Sequence, residues 1–176
     1  MQFNVKAVIT GTLIAALFAP LSFSVQQVPI TLQTFVLFTL AAVFGKNSGF
    51  YIGLAYVILG GMGLPIFGGQ QGGYEKLIGP TAGFLWAFPP ICYYLGWECQ
   101  RTQQNFFYYI SAVLKAHVLL LIPGFVVLYL MVDGVLLWDT LIRLTPGLLV
   151  KSIVGGLLAL WAIKKLPPTW TEVSSS

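Results

Sequence analysis

The sequence predicts an all-α membrane protein, a compact bundle of six transmembrane helices with ordered outward-facing loops after the first and third. Three observations carry that expectation. Only 8% of the 176 residues are charged against 57% hydrophobic, with a mean hydropathy of +0.86, whereas soluble domains carry about 25% charged residues. Apolar segments recur at about residues 6–24, 30–44, 48–64, 80–97, 105–131 and 141–163, most of them near the length needed to span a bilayer. The stretch from Gly60 to Gly83 crowds nine glycines and two prolines between two of those segments. Irregular backbone at membrane depth must be buried in protein or line a polar cavity. A loop this long is more often functional than idle.

Residues 1–165 are expected to form one transmembrane domain. Residues 166–176, with Pro167-Pro168 and three terminal serines, read as a flexible tail. Lys6, the apolar run after it and Ser22-Phe23-Ser24 have the outline of a secretory signal, but the first segment is expected to stay as a helix. Within it Gly11, Ala15 and Ala19 repeat at one-turn intervals. Such a stripe lets another helix approach closely, either inside the bundle or from a partner. The second segment is short, so neighbours or ordered loop must shield it. Pro20, Pro89-Pro90, Pro123 and Pro146 each remove a backbone donor that surrounding helices must compensate.

Cations set the orientation. Lys6, Lys46, Arg101, Lys164 and Lys165 fall at alternate segment ends, all on one side of a six-span bundle. Lys76 and Arg143 fall opposite, beside Glu75, Asp133 and Asp139. Positive residues favour the cytoplasm, so both termini are expected there, in a multi-pass protein of the cell membrane. Residues 25–33 and the glycine-rich loop then face outward and can close over a pocket. Trp138 and Trp161, near opposite ends of the last segment, suit the two interfacial belts.

Two lysines lie in oil. Lys151 is about 14 Å beyond Ile142 along a helix, near the middle of a hydrocarbon core about 30 Å thick. Lys115 sits at similar depth, with His117 two positions on. A lysine there costs roughly 2.5–3.5 kcal/mol on the insertion scale. No acidic residue appears at comparable depth, so the simplest missing anion for Lys151 is a ligand. Lys115 reads instead as snorkelling or neutral, and His117 as a helix–helix hydrogen bonder.

Other classes find little footing. Gly45-Lys46-Asn47 lacks the glycine spacing and hydroxyl of a phosphate-binding loop, so the chain is not expected to hydrolyse ATP. Lys46-Asn47-Ser48-Gly49 and the single His117 offer no catalytic constellation, and no enzymatic activity is expected. Basic residues are scattered singly, which argues against nucleic acid. Cys92 and Cys99 are seven apart, lack metal or redox spacing and read as buried apolar residues. No metal or cofactor is expected.

Four further stretches carry a resemblance. These are Val28-Pro29-Ile30-Thr31-Leu32-Gln33-Thr34-Phe35, Gly60-Gly61-Met62-Gly63-Leu64-Pro65-Ile66-Phe67, Gly79-Pro80-Thr81-Ala82-Gly83-Phe84, and Pro146-Gly147 followed by Lys151. With them the chain resembles the BioY family, the biotin-binding S components of energy-coupling factor transporters, from about residue 10 to 160. The resemblance implies a six-helix substrate-binding subunit with an outward pocket capped by the loops after helices 1 and 3. It implies that the first helix docks on a transmembrane coupling subunit, which assigns Gly11, Ala15 and Ala19 to that face, and that two partner ATPases supply energy. Some members are reported to work alone, so a solitary transporter for biotin or a related small carboxylate is an alternative. A non-transport membrane protein is another. The family usually places an aspartate after the glycine of the last-helix motif, and here that residue is Leu148.

Biotin combines an apolar bicycle, a polar urea edge and a carboxylate tail. A site for it needs apolar walls, a few placed hydrogen-bonding groups and a cation. On this reading Phe67 and Tyr74 cover the ring, Thr31, Gln33 and Thr81 serve the urea, and Lys151 takes the carboxylate. Glycines 68, 69, 72 and 73 would let backbone amides come close.

Overall fold

The structure, a computed structural model, describes residues 4–25, 28–101, 105–134, 136–167 and 169–171. In chain order the elements are α1 (Val5–Phe18), β1 (Ser22–Val25), β2 (Val28–Thr31), α2 (Gln33–Phe44), α3 (Lys46–Gly61), α4 (Glu75–Ile78), α5 (Ala82–Gln100), α6 (Phe106–Met131) and α7 (Leu137–Lys165). Six long helices stand where the six apolar segments were expected, and α4 adds one turn inside the glycine-rich loop. The architecture is helical with one small hairpin: β1 and β2 pair antiparallel, Ser22 opposite Thr31. Two helices, α6 and α7, are long and apolar enough to cross a membrane by length and composition.

What faces outward explains the composition. Leu119, Ile122, Val126 and Leu130 of α6, with Val150, Ile153, Val154, Leu157 and Trp161 of α7, are exposed. A water-soluble protein rarely leaves so large an apolar area uncovered; hydrocarbon solvates it without penalty. Inside, Leu37, Phe38, Ile52, Tyr56, Phe88, Leu95, Tyr109 and Val113 form a continuous core. The prolines do not end helices as breaks would. Pro89, Pro90, Pro123 and Pro146 lie within α5, α6 and α7, and of the five expected breaks Pro20 alone follows a helix end.

Glycines set how closely the helices approach. A Cβ on Gly53 of α3 would lie 3.2 Å from the Pro89 Cα, and one on Gly96 of α5 only 2.4 Å from the Gly45 carbonyl carbon. Gly49 and Gly53, four apart on α3, form the small-residue face that admits α5.

The stripe on α1 has to be corrected. Ala15 and Ala19 are fully buried, and a Cβ on Gly11 would meet Ile52 and Phe44. Gly11, Ala15 and Ala19 therefore pack inward on α3 and α2 and offer no surface for a partner. The exposed side of α1 is Val5, Ile9, Leu13 and Leu17 instead. Small residues at one-turn spacing mark a close helix contact but do not say which helix makes it.

Of the two readings of Lys115, the structure favours snorkelling over a neutral amine. Its Nζ donates to Glu98 Oε1 at 3.1 Å, so an acid does lie within its reach. Side chains on a helix lean toward its N-terminus, and Lys115 leans back along α6 to the end of α5. Its side chain remains half exposed, and exposed pairs contribute at most about 1 kcal/mol. Glu98→Gln is expected to lower the Tm in detergent by no more than about 2–4 °C. A Lys115→Met, Glu98→Gln double variant should recover most of that loss.

At this same end of the bundle the start of α1 meets the segment that follows α7. The Asn4 amide donates to the Thr169 carbonyl, the Asn4 N–H donates to Ser48 Oγ at 3.4 Å, and Trp170 packs on Phe44 with centroids 6.3 Å apart. Of the tail expected to be flexible, residues 169–171 are held by these contacts and Thr171 is buried, while residues 168 and 172–176 lie outside the described residues.

Candidate functional site

At the opposite end, a cavity of about 350 Å³ opens between β2, the glycine-rich loop, α2, α5, α6 and α7. That is within the size range of small-molecule sites, about 300–1,000 Å³. Helical periodicity builds its walls. Thr81, Phe84, Leu85 and Phe88 come from α5 and its cap, His117, Leu120 and Leu121 from α6, and Thr140, Leu144, Leu148 and Lys151 from one stripe of α7.

The glycine-rich loop forms the cover by folding on itself. Phe67 and Gln71 bridge each other, with Phe67 N–H donating to the Gln71 carbonyl at 2.8 Å. The reversal between them needs positive φ at Gly69 (75°) and Gln70 (58°), which glycine adopts freely. Phe67 is buried on Tyr56 at 5.6 Å between centroids, and the Tyr56 hydroxyl donates to the Ile66 carbonyl at 2.6 Å. Gly69 N–H donates to the Pro20 carbonyl at 3.0 Å, and a Cβ on Gly68 would strike Thr31. The two loops thus meet over the cavity.

Five of the six residues expected at a ligand line this one space: Thr31, Gln33, Phe67, Thr81 and Lys151. Tyr74 does not line it and is 65% exposed. Lys151 stands fourteen residues from either end of the 29-residue α7, about 21 Å along the axis in each direction. Its Nζ donates to Thr34 Oγ1 at a long 3.4 Å, and no carboxylate of the described residues pairs with it. The amide nitrogen of Gln33 is buried without a hydrogen-bond partner. Leu148 brings an apolar side chain to the wall, and its carbonyl accepts from Ser152 Oγ at 2.8 Å. No carboxylate appears among the described lining residues, which instead include two ammonium groups, Lys151 and Lys76. The chemistry is that of a receptor for an anion attached to a partly apolar body.

This geometry can be set beside known proteins. A family model described as the BioY family matches residues 3–169. The chain belongs to the BioY family. It is 33% identical over 149 residues to the biotin transporter BioY of Thermotoga maritima, covering 83% of this chain and 86% of that protein. It is 28% identical over 163 residues to biotin transporter BioY2 of Lactococcus lactis subsp. cremoris, covering 92% and 88%. A crystal structure of the S-component for biotin from an ECF-type ABC transporter superposes with a TM-score of 0.75 at 23% identity, over 93% of each chain. That likeness establishes a shared fold. A BioY protein belongs to the cell membrane, as the apolar exterior requires.

Sequence reasoning missed several lining residues of this BioY cavity. Phe84 and Phe88 continue the helical face already implicated at Thr81, so a helical-wheel extension would have found them, whereas Thr34, next to Gln33, lies about a third of a turn away from it. Gln71 and Lys76 reach the cavity only because the loop doubles back, which no local pattern announces. His117 was placed between helices, and it is: its Nδ1 lies 3.0 Å from the Val113 carbonyl and 3.1 Å from Ser152 Oγ of α7. It lines the cavity as well.

Proposed function

We propose that this chain is the biotin-binding transmembrane subunit of a biotin uptake system, the S component of an energy-coupling factor transporter, and that it catalyses no reaction. One observation carries the reading: a lysine at the centre of α7, without a carboxylate partner among the described residues, forms the floor of a loop-covered cavity. A buried charge is tolerable when an opposite charge arrives with good geometry, and the carboxylate of biotin supplies one. The curated relatives, both named biotin transporters, support the choice of cargo.

In this reading α1, α2, α3, α5, α6 and α7 each cross the membrane, within a single substrate-binding domain spanning residues 1–165. The cation-rich end, with Lys6, Lys46, Arg101, Lys164 and Lys165, faces the cytoplasm together with both termini and the tail. Thr31, Gln33 and Thr81 meet the urea edge, and Phe67 lies over the bicycle. Tyr74, on the exposed side of the cover, joins the ligand only if the loop shifts. A transmembrane coupling subunit and two ATPase subunits complete the transporter. The face of α1 left for docking is Val5, Ile9, Leu13 and Leu17. The loaded subunit turns within its partner to deliver biotin inward, driven by ATP hydrolysed elsewhere.

The test is what the protein carries. Purified in detergent from cells grown with biotin and analysed by mass spectrometry, it is expected to retain biotin in near-stoichiometric amount. A preparation that carries no biotin and takes up none when titrated would end this reading.

A further inference from the structure

His117 has one nitrogen accounted for and one not. A carbonyl oxygen only accepts, so the 3.0 Å approach of Nδ1 to the Val113 carbonyl places the ring proton on Nδ1. Ser152 Oγ, 3.1 Å from the same nitrogen, has given its own proton to the Leu148 carbonyl at 2.8 Å and is free to accept as well. Phe38 packs on the ring with centroids 4.8 Å apart and planes at 70°. The imidazole is thereby held from α2, α6 and α7 at once. Only 4% of the residue is exposed, and Nε2 is buried without a hydrogen-bond partner among the described residues. With two ammonium groups and no carboxylate among the described residues lining the same cavity, Nε2 keeps its lone pair and is an acceptor.

Buried polar atoms are nearly always satisfied, and an orphan asks for an explanation. Of the other polar side chains that line this space, Lys151 and Lys76 only donate, whereas Gln33, Gln71 and the threonines can donate or accept. A cyclic urea presents both sexes of hydrogen bond, a carbonyl that accepts and ring N–H groups that donate. Donors for the carbonyl are plentiful here. Acceptors for an N–H are the glutamine oxygens, the threonine hydroxyls and Nε2, and of these Nε2 alone can only accept once the ring proton is on Nδ1, while Leu148 brings hydrocarbon to the wall.

We propose that His117 Nε2 accepts a hydrogen bond from a ring N–H of the ligand's urea and is a specificity-determining residue of the site, with Ser152 and Val113 as its positioning partners. This rests on the biotin reading above. It makes the cavity select a molecule that donates at its apolar end and is anionic at the other, rather than any small carboxylate.

His117 is the single histidine of the sequence, so 15N-histidine labelling gives one imidazole to follow by NMR. In detergent-purified full chain, Nε2 is expected to give the signal of an unprotonated nitrogen. It should move upfield on saturation with biotin, as an accepted hydrogen bond requires. In binding assays the probes are biotin and its two carbamate analogues, in which one or other ring N–H is replaced by oxygen. Wild-type protein should bind one of the two analogues about 10- to 100-fold more weakly than biotin. His117→Phe, which keeps the aromatic contact with Phe38, should bind biotin and that analogue alike. An Nε2 signal unmoved by bound biotin would overturn the assignment, as would unchanged discrimination in His117→Phe. Wild-type protein that binds no biotin at all would overturn both this inference and the reading on which it rests.

Discussion

Lys151→Met is expected to weaken binding of free biotin by roughly 30- to 700-fold while leaving the affinity for a biotin amide almost unchanged. The figure corresponds to about 2–4 kcal/mol, the usual loss when one member of a buried, hydrogen-bonded charge pair is truncated. Among the described residues Lys151 has one hydrogen bond, the 3.4 Å contact to Thr34, so its charge is costly until an anion arrives. Methionine removes that cost and keeps the volume. The empty variant should therefore melt no lower than wild type, yet show far less thermal stabilisation by biotin. Titration calorimetry with the acid and the amide, on both proteins, separates the two effects. Equal losses for acid and amide would remove the carboxylate assignment, leaving Lys151 as a residue that merely shapes the cavity.

Gly83→Leu should do the converse and damage fold and site together. A Cβ at Gly83 would lie 2.1 Å from the Pro123 carbonyl oxygen and 2.8 Å from its carbon. Backbone in mid-helix cannot swing aside as a side chain can, so α5 and α6 must separate. Overpacking of this kind typically costs 1–3 kcal/mol and occasionally more; about 3 kcal/mol would lower the Tm by roughly 6–12 °C. Phe84 and Leu85, the next two residues, line the cavity, so biotin retention should fall with stability. Gly61→Ala is the control: its new methyl meets only the tip of Leu77 at 2.6 Å, which can rotate away. A Gly83→Leu protein that melts with wild type would mean that the α5–α6 contact is looser than this packing implies.

The contrast between these residues shows what could be read in advance. Six helices were legible because hydrocarbon solvent leaves apolar runs plainly visible, and Lys151 because a charge in such a run needs a reason. Thr31, Gln33, Phe67 and Thr81 came from motifs flanking the loops, and all four line the cavity beside Lys151. The α1 stripe was misassigned because spacing defines a face but not its neighbour. Lys115 was legible as a snorkelling lysine, but its partner was not, because depth counted along one helix does not show that Glu98 at the end of the preceding helix lies within reach. Lys76 and Gln71 arrive through a reversed loop whose course depends on Gly69 and on Pro20, a residue far off in sequence. Tyr74 was grouped with Phe67 by proximity in the chain, but only Phe67 has Tyr56 and Gly60 to receive it.

The clasp between Asn4, Thr169 and the Phe44–Trp170 pair has a mechanical consequence. Helix ends ordinarily fray unless they are tied down, and here the start of α1 and the segment after α7 hold each other. α1 and α7 are stapled into a girdle, so neither can splay away without releasing its counterpart. Thermal softness is then pushed toward the opposite pole, where the cover must loosen for cargo to enter.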